Sequence, residues 1–297
     1  MKHKHRLMFQ PSTWKLYLIL IIPFVMYVSV VFFPLAYGFL QSLTLQQGLR
    51  KAQFVGLNNY VTLFNDAKWW LSVKNTFLIT LMCVAGQIGI ALVFTMFTTF
   101  RWVRLKETHR MLMFMPSVIS GVVMGFIWQL LFIDSVGLIN SILRALNMPT
   151  YAWLAEPSTI LLVVTIPTIW QVVGYYMVLM VGGVSSIEES VLEAAEIDGA
   201  SDFQNVWYIV LPLIRGSIGV ALLFCIAGTL KIFDHINIMT NGGPGSYSMV
   251  MAQYAYNITF TAFNLGYGAT ISMGMFLLTM TVVVIVRRLV FGRDKNA

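Results

Sequence analysis

The sequence predicts an all-α, polytopic integral membrane protein that crosses the bilayer six times, with both termini on the cytoplasmic side. Three observations predict it. Of 297 residues, 58% are apolar and 10% charged, whereas a soluble domain carries about 25% charged residues. The charges cluster and leave apolar runs of about 20 residues, the length at which a helix crosses a bilayer with its backbone hydrogen bonds closed inside the segment. Lys and Arg gather in alternate connections, as they do on the inner side of multispanning proteins.

The expected spans run from Leu16 to Leu40, Phe77 to Phe97, Met111 to Ile133, Ile160 to Val181, Ile209 to Leu230 and Ala269 to Val286. The first follows Lys2, Lys4 and Arg6, but its apolar run is too long for a signal h-region and no small-x-small cleavage site follows, so it is expected to remain as a helix. Lys15 completes the N-terminal basic group. Arg101, Arg104, Lys106 and Arg110 follow the second span, and Arg287, Arg288, Arg293 and Lys295 follow the sixth. An even number of spans puts these three groups on one side, the cytoplasm. The opposite loop from Thr44 to Lys74 also carries Arg50, Lys51, Lys68 and Lys74, which weakens the asymmetry.

The connection after the fourth span is unlike the others. Between Gly182 and Tyr208 it has no Lys or Arg, yet it holds Glu188, Glu189, Glu193, Glu196, Asp198 and Asp202, half of the chain's 12 acids. Ser185 with Glu188, and Ser186 with Glu189, have capping-box spacing. Helix formers continue to Ile197, Gly199 supplies a left-handed stop, and Ser201 or Asp202 can cap a second helix leading into the fifth span. Two short helices with a glycine corner are therefore expected, with acids near the N-terminal end where the helix dipole favours them. Ala194 and Ala195 beside Glu193 suit a helix that is approached closely. A rigid knob of this kind fits a groove on another protein, although a solvated connecting helix has the same acidity.

Glu193-Ala194-Ala195, three residues, Gly199, nine residues, Ile209, one residue and Leu211-Pro212 closely resemble the EAA loop of binding-protein-dependent ABC importer permeases. Trp170-Gln171, Tyr175-Tyr176, Phe233-Asp234, the run from Met239 to Pro244 (MTNGGP) and that from Phe54 to Tyr60 (FVGLNNY) resemble the carbohydrate branch of maltose and glycerol-phosphate permeases. The resemblance implies the type I importer permease fold in a bacterial plasma membrane, as a single permease domain over 1–297 with a coupling loop at 184–208. It implies a second homologous permease, two ABC ATPase subunits and an extracytoplasmic sugar-binding protein as partners. It also assigns ATPase coupling to Glu193, Ala194, Ala195, Asp198 and Gly199.

The chain carries no chemistry of its own. It has no G-x-x-x-x-G-K-[ST] phosphate loop, so ATP and Mg are expected on the partner ATPase and no cofactor in this chain. H-E-x-x-H, G-x-S-x-G and C-x-x-C are also missing. His3, His5, His109 and His235 are scattered through termini and loops, and Cys83 and Cys225 read as small packing residues. The net charge of +7 comes from segment ends, not a nucleic-acid surface. Read from the residues alone, an ion- or proton-coupled secondary transporter or channel subunit stays open. Such carriers place ionisable groups inside spans. Here only Arg215 and Lys231 qualify, both near span ends where they can snorkel, and Lys231 can pair with Asp234 if the fifth helix continues.

For a sugar path, aromatic rings offer stacking faces, and amides and hydroxyls offer hydrogen bonds. Gln171, Tyr175 and Tyr176 supply these in the fourth span, while Cys225, Gly228, Thr229 and Ile232 follow helical spacing towards the outer end of the fifth. By resemblance, Tyr175 stands where the maltose branch has a tyrosine, and Thr229 and Ile232 stand where it has amides, which points to a different sugar or to one held mainly by the partner permease. Gln171 and Thr229 can equally serve interhelical bonding. Gly121 and Gly125 form a GxxxG suited to tight packing within the chain, and Gly242-Gly243-Pro244 is a turn. Asn257-Ile258-Thr259 matches a glycosylation acceptor, which a bacterial family leaves unused.

Overall fold

A computed structural model describes residues 13–100 and 102–292. Among the orienting cations and the histidines, Lys2, His3, Lys4, His5, Arg6, Arg101, Arg293, Lys295 and the side chain of Lys15 lie outside the described residues.

Four helices are long and apolar enough to cross a membrane. These are α1 (Tyr17–Ser42), α3 (Ala67–Thr99), α7 (Ile160–Val184) and α13 (Leu265–Phe291). Two more spans are bent pairs, α4 (Lys106–Val118) with α5 (Gly121–Leu131) and α9 (Asp202–Leu213) with α10 (Arg215–Thr229). Shorter helices fill the connections: α2 (Asn58–Phe64), α6 (Leu138–Ala145), α8 (Glu189–Ile197), α11 (Asp234–Thr240) and α12 (Met251–Tyr256). Counting each bent pair as one crossing gives the six expected.

The third and fifth spans, expected to be continuous, are not. The first breaks by 96°, after Pro116 tightens the chain into a 3₁₀ turn and Ile119 adopts extended geometry. Ser120 then starts a new helix by accepting the Val123 N–H at 3.3 Å. The second bends by 66° one residue past a short helical turn containing Pro212. Proline removes a backbone donor and crowds the preceding turn, and the turn before Pro212 is accordingly widened to a π-helix over Val206–Val210. Apolar composition reports that a segment prefers lipid, but not that it is straight.

Burial is uneven. Over half of the most apolar stretch of α7 is buried (56%), against 33% in α3, 17% in α13 and none in α1. Thus α7 is the central post. Its Val164, Val173, Met177 and Met180 pack on Ile79, Cys83 and Ala91 of α3 and on Ala221 and Cys225 of α10. Both cysteines are buried and free, in keeping with their reading as packing residues. Close approach in a bilayer relies on small residues. A methyl group added at Gly125 of α5 would lie 3.0 Å from the His235 Cα and 2.9 Å from the Ile238 Cβ of α11. The GxxxG therefore packs within the chain.

At the end away from the acidic loop, Thr44–Leu45 (β1) pairs antiparallel with Gln53–Phe54 (β2). Asn59 donates to the carbonyls of Ser42 and Thr44, both at 2.9 Å, and Thr270 of α13 donates to that of Ser42 at 3.0 Å. The FVGLNNY run thus ties the first span to the sixth. The chain just past the MTNGGP turn is held in turn by Asn75 of α3, which donates to the carbonyls of Tyr247 and Met249 at 3.0 Å, and Ser248 closes the turn by donating to the Gly243 carbonyl at 2.6 Å.

Candidate functional site

The acidic segment forms a corner of two helices, as expected. α8 ends in a paired motif in which the Ala200 N–H donates to Ala195 O (2.9 Å) and the Gly199 N–H donates to Glu196 O (3.0 Å). Gly199 has φ +80°, a conformation that costs an L-residue roughly 1–2 kcal/mol. Ser201 and Gln204 then form a reciprocal capping box that starts α9. The expected boxes at Ser185 and Ser186 do not form. α8 begins one turn later, behind Glu188 with no side-chain cap, because Ser186 donates back to the Gly183 carbonyl at 2.6 Å. Its hydroxyl finishes the fourth span instead of starting the next helix.

Glu193, Ala194, Asp198 and Gly199 are exposed, while Ala195 is buried. The small pair therefore splits: Ala195 lets the corner sit against the body and Ala194 faces outwards. Val191, Ile197 and Phe203 add exposed apolar surface, Ile197 with 86% of its area free. Beneath the corner, Glu196 and Asp202 line a cavity of about 230 Å³ with Lys106 and Arg110. The acidic loop and the basic one after the second span thus share one end of the molecule, and the missing cations of one are supplied by the other.

A second cavity, of about 360 Å³, lies between the fourth and fifth spans and α11. It gathers five of the seven expected path residues: Gln171, Tyr176, Gly228, Thr229 and Ile232. Tyr175 and Cys225 are not in its wall. Tyr175 is half exposed with its ring 5.3 Å from that of Tyr176, and Cys225 is fully buried behind the wall. The expected helical stripe ends early, since α10 stops at Thr229 and Ile232 follows in a non-helical link. For the same reason Lys231 and Asp234 form no i,i+3 pair. Both are exposed and border the cavity.

Two of these polar groups are partly spent on structure. Gln171 donates to the Ile119 carbonyl at 2.6 Å, satisfying an acceptor opened by the break between α4 and α5. This is interhelical bonding, and it leaves the amide oxygen for the cavity. Thr229 bonds the Cys225 carbonyl of its own helix at 2.8 Å. Its hydroxyl is buried and back-bonded, not interhelical, so it offers the path little.

Sequence reasoning missed the polar network behind the wall. Gln87 of α3, fully buried, donates to the Thr168 carbonyl at 3.1 Å and accepts from the Cys225 thiol at 3.1 Å. Thr168 Oγ1 lies 2.7 Å from His235 Nε2. His235 is thus not a loop residue but 4% exposed in the cavity wall. A lone Gln inside an apolar run was the available signal for Gln87, because an amide in lipid must find partners.

At the opposite end, Asp66 accepts from the hydroxyls of Tyr254 and Tyr267 and from the backbone N–H groups of Lys68 and Trp69. Burial acts to raise its pKa, but these four donors outweigh it and hold the carboxyl below its ordinary value of 3.8.

Comparison with known proteins adds the family. A profile described as "Binding-protein-dependent transport system inner membrane component" matches residues 88–294, well over half of the chain. The chain belongs to this family. As a family member it is a membrane transport permease, similar to the sulfoquinovosyl glycerol transport system permease protein SmoG of Agrobacterium fabrum, with 30% identity over 292 residues, 97% of this chain and 90% of that one. It is also similar to the probable starch degradation products permease AmyD of Thermoanaerobacterium thermosulfurigenes, at 29% identity over 87% of each. Its fold matches a chain of a bacterial ABC transporter that imports the acidic polysaccharide alginate, with a TM-score of 0.83 and 19% identity over 95% of this permease and 96% of that chain. The type I importer permease fold expected from the EAA resemblance is therefore the observed one.

Proposed function

We propose that this permease forms half of the path of a carbohydrate importer in a bacterial inner membrane, paired with a homologous second permease and driven by two ABC ATPase subunits. An extracytoplasmic binding protein delivers the sugar, an oligosaccharide or sugar derivative. ATP and Mg reside on the ATPase, and this chain contributes no catalytic group or cofactor. Residues 1–297 act as one permease domain, with 184–208 as its coupling loop.

The observation that carries this reading is mechanical. Exposed α8 is joined through the Gly199 corner and the Ser201 cap to α9, and α9 leads through one bend into α10, whose end walls the central cavity. Glu193, Ala194, Asp198 and Gly199 meet the ATPase, and Ala195 seats the corner on the body. Displacement of α8 by the ATPase moves α10 against α7 and changes the cavity formed by Gln171, Tyr176, Gly228 and Ile232, with Tyr175 at its margin and Cys225 and Thr229 as supports. The two cavity shapes must differ in sugar contacts, since a ligand shifts only an equilibrium it distinguishes.

The test is mass spectrometry of what co-purifies with the tagged chain after gentle extraction, followed by uptake in proteoliposomes. Stoichiometric ATPase and second permease, with ATP-dependent uptake, support the reading. A single polypeptide that transports without ATP overturns it.

A further inference from the structure

Three cavities meet at one pair of rings. The first is the central cavity, whose wall includes Phe233. The second, of about 890 Å³, has Tyr256 in its wall and lies at the end of the molecule opposite the coupling corner. α3 runs from Lys68 beside it to Thr98 and Thr99 above the corner, about 45 Å at 1.5 Å per residue. The third, a lateral cavity of about 560 Å³ between α1 and α13, is bordered by both rings. The ring centroids of Phe233 and Tyr256 are 5.2 Å apart, with planes inclined at 43°. Phe260 extends the ladder, 5.1 Å from Tyr256, but of the three cavities it borders only the lateral one.

The two rings stand on supports of different kinds. Tyr256 ends α12, which is pinned to α3: the Met251 N–H donates to Thr76 Oγ1 at 3.1 Å, and Tyr254 donates to Asp66. Gln253 of the same helix bonds Asn237 at 3.1 Å, so α11 is held with it. Phe233 instead ends the non-helical link from Leu230 that joins α10 to α11. Residues at the ends of helices and in links absorb the backbone changes of a moving element, so displacement of α10 against a held α11 falls on this link.

The surroundings suit a sugar ring. A pyranose carries C–H groups on its faces and hydroxyls round its rim. Aromatic rings cover such faces, and amides, each donor and acceptor at once, match the hydroxyls. Asn237, Asn241 and Asn257 supply amides on the outer side, and Gln171 supplies one on the inner. An aromatic pair attracts through its faces and edges without a lock of charge, so it can close a path and part again.

We propose that Phe233 and Tyr256 are the constriction of the sugar path, closing the central cavity from the outer one by ring contact and passing a sugar ring when α10 moves. The proposal rests on the importer reading and deepens it, naming two residues that decide what passes between the cavities.

The test places a reporter thiol in the central cavity of the assembled transporter, in right-side-out membrane vesicles without ATP. Gly228→Cys serves, because an added Cβ there meets no atom within 4 Å and the native Cys83 and Cys225 are buried. The probe is a membrane-impermeant trimethylammonium methanethiosulfonate added outside, and modification of residue 228 is read by peptide mass spectrometry. Phe233→Ala and Tyr256→Ala, each combined with the reporter, are expected to speed modification at least tenfold. Phe233→Tyr and Tyr256→Phe, which keep the ring, are expected to stay within twofold of the reporter alone. So is Phe260→Ala, which removes a ring outside the constriction. Tyr256 is exposed, so Tyr256→Ala decides the matter even where Phe233→Ala fails to insert. A rate unchanged by Tyr256→Ala, or by an inserted Phe233→Ala, overturns the constriction, and so does an equal rise with Phe260→Ala. ATP hydrolysis stimulated by the binding protein, measured on the complex without the reporter, tests the importer reading separately. Stimulated hydrolysis without a ring effect removes the constriction alone, and absent stimulation removes the importer reading whatever the modification rates.

Discussion

The coupling corner and the central cavity are built on different length scales. In the corner, the deciding hydrogen bonds join residues three to five positions apart, as in Ala200 to Ala195 and Ser201 with Gln204. In the cavity wall, Gln87 reaches Thr168 and Cys225 across 81 and 138 positions, and Thr168 meets His235 across 67. The corner is a rigid piece that local chemistry forms by itself and presents to a partner. The cavity is the product of helices already packed, and its polar groups depend on one another. A lever benefits from the first design because its shape must survive motion. A path between helices needs the second, since its wall must come apart and re-form.

The largest effect is expected at the lever. Gly199→Val adds no steric clash, because open space surrounds the glycine, but it strains a φ of +80° by about 1–2 kcal/mol. ATP-driven uptake is expected to fall at least tenfold while the amount of inserted protein stays unchanged. Normal uptake at normal expression would remove the corner from the coupling route. Next is the wall: Gln87→Leu removes the amide that joins the Thr168 carbonyl to the Cys225 thiol, and a cost of about 0.5–1.5 kcal/mol is expected, read as a lower melting temperature of the assembled complex. A melting point equal to wild type would mean that the network is not coupled. Ser201→Ala removes a helix cap worth about 1 kcal/mol, and because the loss is local, uptake is expected to fall only a few-fold. A collapse as large as that of Gly199→Val would erase the contrast between cap and corner.

The smallest effect belongs to Asp66. Its folded-state pKa lies below the ordinary 3.8, so its contribution is complete above that value and is lost as pH falls through the lower folded one. Melting of the wild type is expected to show no dependence on this group from about pH 5 to 8. Asp66→Asn, which removes the anionic acceptor from both tyrosines, is expected to lower the melting temperature across that range. A wild-type transition near neutral pH that Asp66→Asn abolishes would contradict this account.

Legibility in the sequence followed the same division. Gly199 and Ser201 were readable because a left-handed stop and an N-cap are decisions made within one turn of chain. The expectation failed at Ser185 and Ser186 because their spacing fits a cap equally well as the end of the preceding helix, and the packed fourth span decided. For the path, residue type brought out Gln171 and Tyr176. It could not show that Thr229 turns back on its own helix, or that His235 is buried.

By itself, the sequence determined the membrane environment, the number of crossings, the acidic corner and the absence of a nucleotide loop. These follow from composition, charge placement and near-neighbour backbone chemistry. Only the tertiary structure decided that the third and fifth spans bend, that Lys106 and Arg110 share a cavity with Glu196 and Asp202, that Gln253 bonds both Asn237 and Asn241, and which path residues share a cavity. The physical reason is that apolar side chains gain almost equally from lipid and from protein. Hydrophobicity therefore places a helix in the bilayer, while its neighbours are chosen by small residues and buried polar groups that find their partners only when the helices meet.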